Sequence, residues 1–475
     1  MGIIRNEIRV KPLIPYTAHN IASNHASHTI LGLFLRLLDA VGVCQRLFNT
    51  IIPAMRIAIV NYRYFLEGGP ERYLFNITDL LTRHGHEVVP FSIHNTRNAP
   101  TPYEHYFLDS IDDEVRYDKS SKSPKKILRS FTRMFYSLEA RSKFGRFLDD
   151  VKPDIVYIVH YHNKISPSII DAARARGIKV VHRISDFQYI CPNALFYTQG
   201  HICEKCIEGD ELACVKQACV LDSKVFSAIK IAAKHFHNLI GVKRKISAFV
   251  VPSRFTIGRL VKGGMPQEKM HLIPTFFNLK DTDHQVEYGD FFLFVGRLTP
   301  QKGLATLIKA FAGTDLKLKV VGAAPGDDYD IALKRQLESQ KHNIEFLGPK
   351  KFDDIIPLLK KCRAFVMPAE GYDNFPNVIL ESFGFKKAVI ASDCGSLPEP
   401  VENGVTGLTF TTADPDDLRR KVNMLANDQD LARRLGENAW QKVNSEYSPE
   451  THYNRLINLF NQLLENDNDT SSQKQ

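Results

Sequence analysis

From Met55 onward the sequence alternates strand signals with helix signals, and that alternation predicts an α/β protein built on parallel sheets. Two further observations agree with it. Several apolar runs end in glycines or polar turns, as strands do where they hand over to helices. A chain of 475 residues with 44% hydrophobic content can also bury cores for two or three domains.

The first 54 residues carry no such pattern. Ile30 to Val43 is apolar but broken by Arg36 and Asp39, and it lacks the basic start and small-residue cleavage site of a secretory leader. It reads as an interfacial amphipathic helix or a dispensable extension. Residues 55–278 form the first expected domain. Arg56 to Asn61 reads as its first strand, and Gly68-Gly69 follows in the loop, where the absence of side chains lets backbone approach a ligand. Pro70 then opens a helix with Leu74, Ile77, Leu80 and Leu81 on one face, and His86 to Ser92 is the second strand.

Lys119 to Lys152 mixes cations with Phe131, Met134, Phe135, Leu138, Phe144 and Phe147. It reads as helix packed on the sheet with a solvated basic face, or as a surface leaning on anionic lipid. Asp154 to Val159 and Val180 to Ile184 are further strands. They end in His160, Tyr161, His162 and in Ser185, Asp186, which makes Asp186 a site candidate. Within the insertion 191–219, the spacing of Cys203 and Cys206 lets two thiolates reach one tetrahedral zinc, with Cys191 and Cys219 or Cys214 completing the set. Disulfides and unpaired thiols are the alternatives, and four Cys ligands would leave no open position for chemistry.

A linker is expected at 279–290 and a second domain at 291–447, with strands near Phe291, Leu318, Ile344, Ala364 and Ala388. Within Phe291 to Gly303 an apolar run ends at Gly296, and Arg297 and Lys302 follow, a fork and a point charge suited to phosphate oxygens. Gly322 to Gly326 is a turn expected to border the same ligand. From Val366 to Pro400 a buried strand leads into a polar loop and a helix, with Asp373 before it and Glu381 on it. Pro376 suits the first helical position, so free N–H groups and the positive dipole end would face the loop. Asn377 and Glu381, four apart, share one helical face, and a carboxylate there can accept from both hydroxyls of a ribose. A helix with Tyr453, Leu456, Ile457, Phe460 and Leu464 in one stripe fills 448–465, and 466–475 is expected to be a disordered tail.

The net charge of +9 suits phosphate-bearing ligands or an anionic membrane surface but is no nucleic-acid fingerprint. No stretch reaches the roughly 18 apolar residues of a membrane span. A cytoplasmic protein, soluble or peripheral at the inner membrane face, is expected. No G-x-G-x-x-G follows the first strand, which argues against a dinucleotide-dependent oxidoreductase.

The pairing of G-R-L-x-x-x-K-G (296–303) with a carboxylate-x7-Glu motif at Asp373 and Glu381 resembles the retaining, nucleotide-sugar-dependent glycosyltransferases of family 4, over roughly residues 55–464. The resemblance implies a GT-B fold, two Rossmann-like domains with parallel sheets facing a central cleft, with the nucleotide on the second. It implies that Arg297 and Lys302 hold the diphosphate, Glu381 the ribose and Asp373 the sugar. Asp373 stands where the family usually has Glu, a carboxylate on a shorter arm. The backbone of Asn374, Phe375, Pro376, Asn377 and Val378 would face sugar and phosphate, Gly348 and Pro349 would border the base, and Gly68 and Gly69 would line the cleft. Where family members show His-Asp, this chain has Ser185-Asp186, and His162 and His182 are the candidates for the missing histidine. Cysteine-rich insertions occur in a subset of the family, matching at Cys191, Cys203, Cys206 and Cys219. The activity implied is transfer of a hexosyl unit from a nucleoside-diphosphate sugar to a glycan or lipid-linked hydroxyl acceptor, with retention. No metal is required for catalysis, structural zinc is the one cofactor expected, and a nucleotide-sugar-binding scaffold without turnover is the alternative.

Overall fold

The computed structural model describes residues 53–110, 124–277, 286–324, 329–338 and 341–472. Ile30 to Val43, the start of the basic stretch at Lys119, much of the linker and Gly326 lie outside these. Residues 55–475 form one compact unit containing two six-stranded sheets.

The first sheet runs β2-β1-β3-β4-β7-β8, from β1 (Arg56–Asn61), β2 (Glu87–Phe91), β3 (Ile155–His160), β4 (Lys179–Arg183), β7 (Ala248–Val251) and β8 (Met270–Leu272). A two-stranded hairpin, β5 (Tyr197–Thr198) and β6 (His201–Ile202), interrupts it in sequence. The second sheet runs β11-β10-β9-β12-β13-β14, from β9 (Phe291–Val295), β10 (Lys317–Val321), β11 (Asn343–Gly348), β12 (Ala364–Met367), β13 (Val389–Ser392) and β14 (Gly407–Phe410). Pairing within both large sheets is parallel. That explains the unbroken apolar strands: β7, β12 and β13 are buried along their whole length because helices cover both faces. β14 and the hairpin were not anticipated: Gly407-Leu408-Thr409-Phe410 lacks the unbroken apolar run of β12 and β13, and two-residue strands carry no pattern.

Chain direction across each sheet reverses at one point. β1 lies between β2 and β3, and β9 between β10 and β12. Open α/β sheets bind ligands at such switch points, beyond the carboxyl ends of the strands. The loops after β1 and β9 are the ones carrying Gly68-Gly69 and Arg297 to Lys302.

The basic stretch forms two helices, Pro124–Phe135 and Leu138–Val151. Phe144 and Phe147 enter the core against Phe91, while Phe131 and Leu138 are exposed. The terminal helix runs Pro449–Ser472, continuing past residue 465 where a disordered tail was expected. It buries Tyr453, Leu456, Ile457 and Phe460 in one cluster with Ile57 and Tyr157 of the first sheet, so the end of the chain covers the first lobe. His452 fastens it by hydrogen bonds to the Tyr73 hydroxyl at 3.0 Å and the Pro274 carbonyl at 2.7 Å.

Candidate functional site

In the second lobe, glycine sets the geometry of the cationic loop. Gly303 has φ +71°, and a Cβ there would stand 1.6 Å from the Pro368 carbonyl oxygen, so no side chain fits. The loop therefore lies flush on the segment after β12, where the Gln301 carbonyl accepts from the Glu370 and Gly371 N–H groups at 2.9 and 3.0 Å. This clasp brings Lys302 Nζ to 2.7 Å from both carboxylate oxygens of Asp373. Their side chains are 13% and 19% exposed, shielded but open to a ligand. Gly303→Ala is expected to separate the pair and abolish ligand binding, with a melting-temperature drop of several degrees checked by calorimetry.

Arg297 projects from the same loop, exposed and without an ion-pair partner among the described residues. Gly322, after β10, holds this corner tightly: a Cβ there would meet the Gly296 carbonyl oxygen at 1.8 Å. Gly348 closes β11 with φ +69° and accepts from the Gly322 N–H at 3.0 Å, and Pro349 beside it is exposed.

The helix after Asp373 is Asn377–Gly384, and Pro376 occupies its N-cap position, one residue earlier than expected. Phe375 turns inward against Tyr447, ring centroids 5.5 Å apart, leaving its backbone alone for the cleft. Asn374 accepts from the Thr256 hydroxyl at 3.1 Å, and Val378 packs partly buried on the core. Glu381 is 6% exposed and faces the first lobe, where Arg72 Nη1 approaches to 2.6 Å. Gly69 completes that approach, with a Cβ position 3.4 Å from Asn377 Nδ2. Gly68 caps the Gly69–Arg83 helix, its N–H donating to Glu71 at 3.0 Å. Arg72 lies one turn into a helix behind a glycine pair, a placement visible in G-G-P-E-R but given no role from sequence.

Burial raises the Glu381 carboxyl above its ordinary value of 4.5, and Arg72 opposes that rise. Ionised, the carboxylate offers two acceptor oxygens to a ligand's hydroxyls; protonation turns one of them into a donor. Ligand affinity is therefore expected to fall on acidification with a midpoint above 4.5, a limb that Glu381→Gln removes; titrations across pH 4–8 check it.

In the first lobe Asp186 accepts from the Gln188 backbone and side chain at 2.9 Å each, and His160 Nδ1 stands 3.8 Å away. Among these histidines His160, and not His162 or His182, pairs with Asp186. The other two sit inside a ring cluster with Tyr161 and Tyr189, His182 bonded to the Tyr189 hydroxyl at 2.8 Å, and burial pushes both well below the usual histidine range. His160 is the strand-end imidazole beside Asp186.

Across the interface the Glu399 carboxylate accepts from the Arg254 and Phe255 N–H groups at 2.9 and 2.7 Å, capping the Arg254–Lys262 helix from the other lobe. Two contacts are therefore direct, Lys302 to Asp373 and Glu381 to Arg72; Arg297 shares the loop of Lys302, and Asp186 follows β4 of the first sheet.

Cys191, Cys203, Cys206, Cys214 and Cys219 line one small pocket, and all are free thiols. The neighbouring Cys206 thiol, burial and the Cys219 thiol push the Cys214 thiol well above its ordinary range. Cys203 and Cys219 both donate to the Gln217 side-chain oxygen Oε1 at 3.7 Å, while Cys191 donates to Asn193 Oδ1 at 2.9 Å. As the side chains stand, no three His, Cys, Asp or Glu groups among the described residues share a coordination centre. Cys214, the alternative to Cys219 in the expected set, lines the same pocket. No described helix is long and apolar enough to cross a membrane.

Two family models match the chain: Glycosyltransferase Family 4 over residues 67–185, and Glycosyl transferases group 1 over residues 280–442. An uncharacterized glycosyltransferase of Methanocaldococcus jannaschii is 31% identical over 184 residues, 38% of this chain and 52% of that protein. The N,N'-diacetylbacillosaminyl-diphospho-undecaprenol alpha-1,3-N-acetylgalactosaminyltransferase of Campylobacter jejuni is 31% identical over 123 residues, 26% of this chain and 32% of that one. The chain thus spans about half or less of these relatives. The Anabaena protein HepE, solved in complex with UDP and glucose, superposes with a TM-score of 0.55 at 16% identity, covering 86% of this chain and 99% of its own. The fold is GT-B.

Proposed function

We propose that this chain, with a GT-B fold and a glycosyltransferase model matching each lobe, transfers a hexosyl unit from a nucleoside-diphosphate sugar to a hydroxyl acceptor, with retention at the anomeric carbon. The observation that carries the reading is the Lys302 and Asp373 pair, held at 2.7 Å by a loop that tolerates no side chain at Gly303. A cation and a carboxylate side by side at a switch point address the two ends of one ligand, phosphate and sugar hydroxyl.

As the bond from sugar to phosphate breaks, charge builds on the departing diphosphate. Lys302 and the exposed Arg297 stabilise it, helped by the N–H groups at the start of the Asn377–Gly384 helix. Glu381 takes the ribose diol once Arg72 yields it, and Asp186 with His160 faces the transferred sugar from the first lobe. Closing the lobes keeps water from intercepting the donor. The acceptor is a glycan or lipid-linked precursor, by likeness to the undecaprenol-linked substrate in the name of the Campylobacter relative. Peripheral contact with the inner membrane face goes with such an acceptor.

Screening UDP, GDP and ADP sugars for transfer and for donor hydrolysis, beside Arg297→Ala, tests the reading. At least one donor should turn over; binding without turnover across all donors would make the chain a scaffold. Structural zinc is proposed for the thiol pocket, whose soft donors suit it. Elemental analysis of chelator-free protein is expected to find about one zinc per chain, and chelation to lower the melting temperature.

A further inference from the structure

The cysteine-bearing hairpin does more than decorate the first lobe, because it reaches the loop that carries Asp373. Glu204, between Cys203 and Cys206, accepts a hydrogen bond from the Tyr372 hydroxyl at 2.8 Å and pairs with Arg259 Nε at 3.1 Å. Its carboxylate is 17% exposed, so water competes little for either partner. Tyr372 immediately precedes Asp373 in the chain. The ring of Tyr372 packs edge-on against Phe255 at 4.6 Å, with Phe187 and Phe196 beyond, all three from the first lobe. Arg259 lies over both Phe255 and Tyr372, at 5.0 and 5.8 Å. The hairpin also approaches the loop directly: a Cβ at Gly371 would come within 3.1 Å of the Tyr197 ring and 2.4 Å of Gln301.

From its own lobe the loop is held by Lys302 on the Asp373 carboxylate, by the Thr306 hydroxyl on Glu370 at 2.6 Å and by two backbone contacts. The Gln301 carbonyl binds residues 370 and 371, and the Ser396 hydroxyl binds the Asp373 carbonyl at 2.6 Å. The side chain next to Asp373 is anchored from across the interface.

We propose that Glu204 is a positioning residue: by holding Tyr372 from the opposite lobe it sets where the Asp373 carboxylate stands, and so governs recognition of the sugar end of the donor while leaving the nucleotide end alone. This rests on the reading of the cleft given above. Lobe arrangement and sugar recognition become one event, since the bond exists only when the hairpin meets the loop.

The test compares affinities for UDP-glucose and UDP by calorimetry, or the corresponding GDP or ADP pair if the donor screen selects it. Glu204→Ala is expected to weaken the sugar nucleotide roughly tenfold, as befits one charge-assisted hydrogen bond, and to change the bare nucleotide less than about twofold. Tyr372→Phe keeps the ring packing, removes the same bond and should reproduce the effect. The double variant should be no worse than either single one, because both delete a shared interaction. Equal weakening of both ligands would mark a fold defect and overturn the proposal, as would additive effects. If the unaltered chain binds no sugar nucleotide, the reading of the cleft itself fails; if it binds and the ratio is unmoved in both variants, only the role of Glu204 fails.

Discussion

Replacing Lys302 with alanine is expected to lower kcat/KM for sugar transfer by roughly a thousandfold, with most of the loss in kcat. The lysine is the shielded cation of the site, and its charge matters most when the diphosphate departs, so a ground-state affinity measurement should register only a small part of the loss. The change also leaves Asp373 with no cation at 2.7 Å, and part of the defect will come from a carboxylate free to swing. Lys302→Arg separates the two effects: it restores charge but not the compact fit against Asp373, and should recover only a fraction of the rate. Arg297→Ala should cost less, because that guanidinium is exposed and meets the ligand from solvent.

Glu381→Ala should weaken sugar-nucleotide binding about a hundredfold. Two hydrogen bonds to a charged acceptor are lost, each contributing roughly 1.5–3 kcal/mol before the cost of ordering is subtracted. Arg72 loses its partner in the same variant, so the interface between lobes should loosen and the thermal transition fall by a few degrees. Arg72→Ala isolates that second effect: it should lower stability while leaving Glu381 free to receive the ligand. Equal losses of affinity in the two variants would mean that Glu381 acts through the interface and never touches the nucleotide.

Much of this site was legible because its parts are local. Gly303, Lys302 and Arg297 fall within one strand-to-helix turn, and Asp373 and Glu381 within another, so residue spacing alone placed each group on its element. Their meeting followed from topology, since β9 lies beside β12 and the two loops emerge from neighbouring strands. What stayed hidden depends on contacts between segments far apart in the chain. Arg72 meets Glu381, Glu204 meets Tyr372 and Glu399 caps the Arg254–Lys262 helix, and no periodicity encodes those encounters. The histidines show the same limit. His160, His162 and His182 all lie near strand ends, but only three-dimensional packing separates the one beside Asp186 from the two enclosed by tyrosines. The cysteines show it too: spacing left Cys219 and Cys214 as alternatives, and only the fold places both in one pocket with Cys191, Cys203 and Cys206.

The most direct measurement is a calorimetric titration of the unaltered chain and of the paired Arg297→Ala, Lys302→Ala variant with UDP, GDP and ADP sugars. Saturable binding of at least one donor, one per chain, that weakens about tenfold in the variant is the predicted result. Absence of binding by every donor at millimolar concentration, or binding that the variant leaves untouched, would contradict the claim that these residues grip a sugar nucleotide between the lobes.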